Sequence, residues 1–499
     1  MFFATSSVSW ADGSIIPASR WPVCDPGVIS QKISFVHVSD THASYNPDPD
    51  GSSPLARIRG LVEEVKRENP YTLFTDAGDD YEKGSIAEQL SHGRTTRQVV
   101  QAMHYDIRTL GNHDFAWGLE ELLDFSHDPT ALVLAGNTKI TREVLQRQGL
   151  QEPGWVDYAQ LTVGCVKIGV FGLVSKPWTE NGEQYDGPWY RQHPELQSNF
   201  NHVVLAREII ARHRPEVDLL VLVSHLGIYD DVHLAEETEG IDIILGGHTH
   251  TTMTEPRRIG NTTIIHAGSY GEHIGRYDLV YDLDGRRIAA GHFELVANNR
   301  ESVPVDEETD LAIKKIIRPY QEAISAEFVR INQEQSKKDM ARIAARATVE
   351  TGRSDAAFVN PQSAWKKGLP GGLTRQDILD IFPVEREPAG EPGLSSLYLV
   401  SGTGADLLQI RTALPDFAYW GPVNIHPAAI YTIALPKAQA LGQQKYFGRE
   451  ISPEVPGSAG ELWEAVVDYG RDQSRVNLSL DERGENRNRG LIAAIFDRR

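Results

Sequence analysis

The sequence predicts an α/β fold in two domains, and three observations carry that reading. From residue 30 to about 300, short β-rich apolar runs alternate with helical patterns. Several of these runs stop abruptly at glycine, aspartate, asparagine or histidine. The chain is also 499 residues long, whereas single hydrophobic cores stop growing at roughly 250 to 300 residues.

Residues 1–29 read as an N-terminal segment: MFFATSSVSWADGS lacks the basic start and full apolar core of a secretory signal, yet SWA suits a cleavage site and the tail of a signal. The strand-like runs that follow are KISFVHVSD, YTLFTDAGD, KIGVFGLVS, DLLVLVSHLG and IDIILGGHTH, with helical LARIRGLVEEVKRE and HVVLAREIIARH among them. Buried strands alternating with helices imply a sheet covered on both faces, which assigns residues 30–304 to the first domain. The charged, helix-spaced stretch 305–335 predicts a linker helix. Residues 336–499 form a mixed α/β second domain, with helical DMARIAARATVETG, LTRQDILDIF and GELWEAVVDYGRDQ and strand-like SSLYLVSG and AIYTIALP, punctuated by Pro and Gly.

Bulk properties exclude several function classes. The composition, 40% hydrophobic and 24% charged, is that of a soluble globular protein, and no apolar run approaches the roughly 20 residues that span a bilayer. The formal charge of −20 argues against a nucleic acid polymer as partner, because gripping a phosphate backbone requires a cationic surplus. A small anionic substrate stays open where a local cation receives it. With two cysteines, Cys24 and Cys165, there is neither a disulfide framework nor a thiolate metal cluster; a single bridge and two free thiols are both compatible.

The chemistry concentrates at five strand ends: Asp40-Thr41-His42, Gly78-Asp79, Gly111-Asn112-His113-Asp114, Ser224-His225, and His248 and His250 in GGHTH. In open α/β sheets the loops beyond the carboxyl ends of the strands converge on the ligand site. Carboxylates, imidazoles and an Asn carbonyl without thiolates suit manganese, iron or zinc in oxygen-rich coordination. So many candidate ligands exceed what one ion takes, so two divalent ions bridged by a carboxylate are expected. The other histidines lack this context: His37 sits inside a strand pattern, His92 and His104 have no ligand-type neighbours, and His266 reads as structural or as orienting a ligand.

The motifs DTH, GD, GNHD, SH and GGHTH, in that order across residues 35 to 275, resemble those of the calcineurin-like metallophosphoesterases, and within them the two-domain 5′-nucleotidase group. IAARATVETGRSDAAFVN and LTRQDILDIFP extend the likeness into the second domain. The resemblance implies a four-layer αββα sandwich for the first domain and a 5′-nucleotidase-like substrate domain closing over it. It implies Asp40, His42 and His250 on one metal, Asn112, His225 and His248 on the other, and Asp79 between them. It also implies that His113 acts at the leaving group as acid or electrostatic stabiliser, with Asn112 and His113 touching substrate; the signal-like N-terminal segment points to a periplasmic or secreted location.

Two departures stand out. The group's usual Gly-Asn-His-Glu-x-Asp reads GNHDFAWG here, with Ala116 where the carboxylate partner of the histidine belongs; either another acid, Asp114 or Asp80, replaces it, or His113 works with a less raised pKa. In the second domain FVNPQSAWKKG keeps Asn360 but lacks the Gly and Arg that follow it in the group. Lys366 or Arg375 is left to supply charge there, and Trp365, Tyr419, Trp420, Tyr446 and Phe447 are the rings able to stack a base. The expected function is a dinuclear metal-dependent hydrolase of phosphate monoesters, 5′-nucleotidase-like, acting on a nucleotide or other phosphoester. The alternatives are a related hydrolase of another phosphoester or a sulfur oxyanion ester, and a metal-binding protein with little turnover.

Overall fold

The computed structural model describes residues 20–175, 179–180, 183–184, 196–384, 396–452 and 457–482. The signal remnant expected within the first residues lies outside them up to residue 19. The chain divides into two compact units between Pro319 and Tyr320.

The first unit carries twelve principal strands. In chain order they begin with β1 (Ser30–Val38), β2 (Thr72–Asp76), β3 (Ile107–Thr109), β4 (Leu132–Leu134), β5 (Tyr158–Val163) and β6 (Val166–Val174). They continue with β7 (Leu219–His225), β8 (Ile243–Gly246), β9 (Arg257–Ile259), β10 (Thr262–His266), β11 (His273–Asp282) and β12 (Arg287–Ala297). Two six-stranded sheets result, ordered β12-β11-β1-β2-β3-β4 and β9-β10-β8-β7-β6-β5.

Their inner faces meet in one core, where Phe35, Leu73 and Ile107 pack with Ile168, Val221 and Leu245. Strand β7 shows why its sequence is apolar from Leu219 to Val223: Leu219, Val221 and Val223 enter that core, while Leu220 and Leu222 turn to the opposite face. There they meet Ala206 and Leu234 of helices α1 (His202–His213) and α2 (Ile228–Glu237). On the other sheet, helix Pro54–Glu68 packs against β1 and β2. Ser53 caps it by accepting from Leu55 N, Pro54 begins it, and Leu55, Ile58, Leu61, Val62 and Val65 form its buried stripe. The unit is the four-layer αββα sandwich, with α/β connections covering both sheets. Each fully buried Leu, Ile, Val or Phe contributes roughly 1.5 to 3 kcal/mol, so the two-sided core dominates its stability.

The five strand ends singled out in the sequence belong to β1, β2, β3, β7 and β8. Within each sheet these neighbours pair in parallel. Parallel neighbours share a carboxyl edge, so their following loops emerge together.

The stretch 305–335 is not one linker helix. It forms a helix over Glu307–Ile317, a 3-10 turn over Arg318–Tyr320, a short helix over Gln321–Ser325 and a strand over Val329–Ile331. Pro319 lacks an N–H and its ring clashes with the preceding turn, which ends the first helix. Ile313 and Ile317 are fully buried, and that helix packs within the first unit. The second unit is built on a mixed five-stranded sheet in the order Ala418–Trp420, Ala356–Val359, Ile430–Pro436, Ser396–Thr403, Gly457–Glu461. Phe358, Val400 and Ile433 pack with Leu407 and Ile410 on one of its faces, while helix Lys337–Glu350 packs on Ala356–Val359 and Ala418–Trp420.

Cys24 and Cys165 form a disulfide across 141 positions, tying the N-terminal segment to the turn between β5 and β6. A cross-link over so long a loop removes entropy from the unfolded chain, typically about 2 to 4 kcal/mol. Replacing both cysteines by serine is expected to destabilise the first unit by that amount, read as a lower urea midpoint. An unchanged midpoint in equilibrium unfolding would refute the stabilising role.

Candidate metal centre

The loops after β1 and β2 are laced together before any side chain is considered. Asp40 N donates to Gly78 O at 2.8 Å, His42 N to Asp79 O at 2.9 Å and Ala43 N to Asp80 O at 2.7 Å. The loop after β3 then lies against the second: a Cβ on Gly78 would stand 2.3 Å from Gly111 N, and one on Gly111 2.2 Å from Asp79 N. Only glycine at both positions permits that approach. Five of the seven candidate ligands have left-handed backbones, with φ of 52° at Asp40, 46° at His42, 61° at Asp79, 76° at His248 and 51° at His250. Such conformations cost free energy in non-glycine residues and persist where the surroundings over-determine them, often at functional sites.

These corners aim the side chains at one place. Ligand-type atoms fall within 4.8 Å of one another in three groups: Asp40, His42 and His250; His42, Asp79 and His113; and Asp79, His225 and His248. Asp79 Oδ1 accepts from His113 N at 2.7 Å, while its Oδ2 lies 3.0 Å from His225 Nε2 and 4.0 Å from His42 Nε2. Asn112 joins through Oδ1, 3.2 Å from His225 Nε2. Both Asp40 oxygens accept from His248 N at 3.0 Å, and His42 Nε2 and His250 Nε2 stand 3.0 Å apart. The structure therefore brings all seven candidate ligands and His113 together.

The donor set fits divalent cations. His42 Nδ1 lies 3.0 Å from Tyr81 O and His225 Nδ1 2.6 Å from Ala77 O. Donation of Nδ1–H to those carbonyls turns the Nε2 lone pair toward the site. Burial, followed by the charge of Lys83, holds His42 well below its usual value and His250 at about 4; burial and His225 hold His248 at about 3. These imidazoles are neutral near pH 7, with lone pairs free for a cation. Burial opposes ionisation of Asp79, yet His225 and His113 hold it well below the usual carboxylate range. Burial also lowers His225, but Asp79 and Asp40 outweigh it and push the ring up to about 9. The acids thus call for positive charge at this point, which a divalent cation would supply in place of that proton.

A buried layer supports the centre. Arg108, fully buried on β3, lies 3.6 Å from Asp76, 3.3 Å from Asp80 and 3.1 Å from Asp128. His266 does not orient a candidate ligand directly: its Nε2 lies 2.8 Å from Asp231, whose other oxygen accepts from Ser224 Oγ. His37 bonds Gly246 O and Thr75 Oγ1.

Neither Asp114 nor Asp80 replaces the carboxylate missing at Ala116. Asp114 accepts from Gly111 N at 2.6 Å, Asp80 N at 2.9 Å and Asp79 N at 3.2 Å, so it is occupied in holding two loops. Asp80 is held by Arg108 and Thr41. The partner of His113 Nδ1 is Glu82 Oε2. Sequence reasoning missed Glu82 because it lies 31 positions away; its only signal was a glutamate three residues past Asp79. It also missed Tyr270, whose ring sits 5.2 Å from His42 and 5.3 Å from His250.

The four substrate-domain candidates lie in the second unit. Asn360 spends its side-chain carbonyl on Gln362 N at 3.0 Å, capping a 3-10 turn. Tyr419 packs on Phe358 and under Arg411, and Trp420 lies beneath Arg346. Trp365 is 42% exposed. Lys366 pairs with Asp380 at 2.7 Å and Arg375 with Glu322 at 3.3 Å, so both candidate cations already face carboxylates.

Comparison with known proteins agrees with this architecture. Residues 33–252 match the family model of the calcineurin-like phosphoesterases. The 5′-nucleotidase of Bos taurus is 25% identical over 339 residues, 60% of this chain and 54% of that protein. The trifunctional nucleotide phosphoesterase protein YfkN of Bacillus subtilis (strain 168) is 25% identical over 307 residues, 56% of this chain and 20% of that one. The chain thus spans about half the length of the bovine protein and a fifth of the bacterial one. A solved 5′-nucleotidase precursor from Thermus thermophilus superposes with a TM-score of 0.65 at 17% identity, covering 89% of this chain and 97% of its own, a likeness of fold.

Proposed function

We propose, from the premise that residues 33–252 belong to the calcineurin-like phosphoesterases and that the chain has the two-domain fold of the 5′-nucleotidases, that this protein is a dinuclear metal-dependent phosphomonoesterase. The single observation that carries the proposal is the convergence of Asp40, His42, Asp79, Asn112, His225, His248 and His250 on one point with His113 beside them. Divalent ions, manganese, zinc or iron, would supply Lewis-acid stabilisation of charge on the phosphoryl oxygens and make hydroxide available near neutral pH. Asp79 would lie between the two ions. Asp40, His42 and His250 would hold one, and Asn112, His225 and His248 the other. His113 would give a proton to the leaving oxygen, its ring held next to His42 with centroids 5.0 Å apart. Its pKa is raised: burial and Lys83 lower it, but Asp79 and Glu82 outweigh them.

Nucleotides are the first substrate class, by family. A second reading, another phosphoester or a sulfur oxyanion ester, is favoured by Asn360, Lys366 and Arg375 all being engaged locally rather than presenting a guanidinium fork to an anion. Trp365, Tyr419 and Trp420 are then the rings proposed to stack a base. A periplasmic or secreted setting suits the Cys24–Cys165 disulfide, since such bridges persist in oxidising compartments. No helix among the described residues is long and apolar enough to cross a membrane.

The test combines metal analysis with a substrate panel of AMP, 4-nitrophenyl phosphate and a thiosulfate conjugate. About two metal ions per chain and hydrolysis of the aryl phosphate are expected, with AMP no more than about a hundredfold better, because a missing bidentate contact removes several kcal/mol of discrimination. A stronger preference for AMP would show a rebuilt nucleotide pocket. Turnover of the thiosulfate conjugate alone would establish the second reading, and no turnover with metal supplied would leave only a binding protein.

A further inference from the structure

Glu82 is 1% exposed and contacts Nδ1 of the half-buried His113. Its backbone is left-handed at φ 69°, and so is that of Lys83 at φ 70°. This paired corner turns the chain back toward the loop after β3, and it is anchored on both sides. Glu82 N donates to the two oxygens of Glu88 at 2.9 and 3.1 Å. Glu88 in turn accepts from Thr96 Oγ1 at 2.7 Å and from Trp117 Nε1 at 2.9 Å, and Trp117 follows His113 in the same loop. On the other side Gly84 lies so close to the loop after β1 that a Cβ there would stand 2.2 Å from His42 O. Backbone strain of this kind persists only where the surroundings over-determine it. Here they bring one carboxylate to one imidazole nitrogen.

We propose that Glu82 is the positioning residue for His113, supplying from a different loop the carboxylate that Ala116 cannot. Its oxygen accepts Nδ1–H, sets the ring's orientation and tautomer, and assigns proton transfer to Nε2. The proposal rests on the phosphoesterase reading above. In that hydrolysis the oxygen of water bonds to phosphorus as the P–O bond to the leaving group breaks. The leaving oxygen keeps the bonding pair and takes a proton from His113 Nε2, and the ring regains a proton from the water consumed.

A purely structural ion pair would disturb all substrates alike, so the leaving group distinguishes the two roles. Nitrophenolate departs without a proton; an alkoxide does not. For Glu82→Ala, kcat on an alkyl phosphate is expected to fall about a hundredfold or more, the usual size of general acid assistance, with KM little changed. On 4-nitrophenyl phosphate the loss is expected to stay below about tenfold, and Glu82→Gln, which keeps an acceptor oxygen, recovers part of the alkyl activity. Equal losses on both esters would overturn the proposal. The second readout needs neither metal nor turnover: long-range ¹H–¹⁵N spectra of metal-free protein with a neutral His113 ring, assigned with His113→Gln. They should show Nδ1–H in the parent chain and a gain of Nε2–H in Glu82→Ala. An unchanged tautomer would overturn the proposal, whereas a parent chain inactive on both esters would overturn the phosphoesterase reading and leave the spectra to judge the contact.

Discussion

Asp79→Ala is expected to lower kcat/KM by about a thousandfold or more, equivalent to roughly 4 kcal/mol of transition-state stabilisation, and to strip metal from the folded chain. Asp79 belongs to two of the three ligand groups. Its Oδ2 lies 3.0 Å from His225 Nε2, and its Oδ1 orients the GNHD loop by accepting from His113 N at 2.7 Å. Two cations held close together repel strongly unless negative charge lies between them, and no other carboxylate of the three groups reaches both Asp40's cluster and His225's. The structural cost is local: the His113 amide and the His225 ring each lose an acceptor, at about 1 to 3 kcal/mol apiece. Circular dichroism should therefore show a folded chain while elemental analysis shows depleted metal. Retention of near-normal turnover and metal content would remove Asp79 from the centre of the site.

Arg108→Met should produce the largest loss of stability, about 3 to 5 kcal/mol, the usual result of removing one partner from a buried ion pair. The guanidinium faces three buried carboxylates, Asp76, Asp80 and Asp128, and stacks 4.1 Å from the centre of the Phe125 ring. Methionine fills part of the volume but leaves three acids without their cation. Asp76 already sits well above the usual carboxylate range, from burial first and from Asp80 second, with Arg108 pulling it down. An acid whose folded pKa is raised binds more protons folded than unfolded, so its contribution to stability is lost as pH rises. Without Arg108 that loss deepens. The deficit measured by urea unfolding should be larger at pH 8 than at pH 5; an equal deficit at both, or one below about 1 kcal/mol, would contradict this account.

The same physics decides what the sequence shows locally. The runs KISFVHVSD, DLLVLVSHLG and IDIILGGHTH each became a strand, because a strand covered on both faces is predominantly apolar, and that is visible locally. The 305–335 stretch misled because its charges and spacing continue through Pro319, whose effect on the helix outweighs the pattern. In the second unit, residue type alone suggested that Asn360, Lys366 and Arg375 were available to a ligand. Only their neighbours show that they cap a turn or face Asp380 and Glu322.

By itself the sequence determined the α/β alternation, the two-domain organisation and the five strand ends where ligand-type residues accumulate, since periodicity and residue chemistry act over short stretches. The tertiary structure alone decided that Glu82 serves His113, that Asp114 holds the Asp80 backbone instead, that Arg108 collects three acids and that Cys24 meets Cys165. Those pairings depend on left-handed corners, glycine contacts between loops and the order of strands within a sheet. Each joins residues whose separation along the chain carries no record of their distance in space.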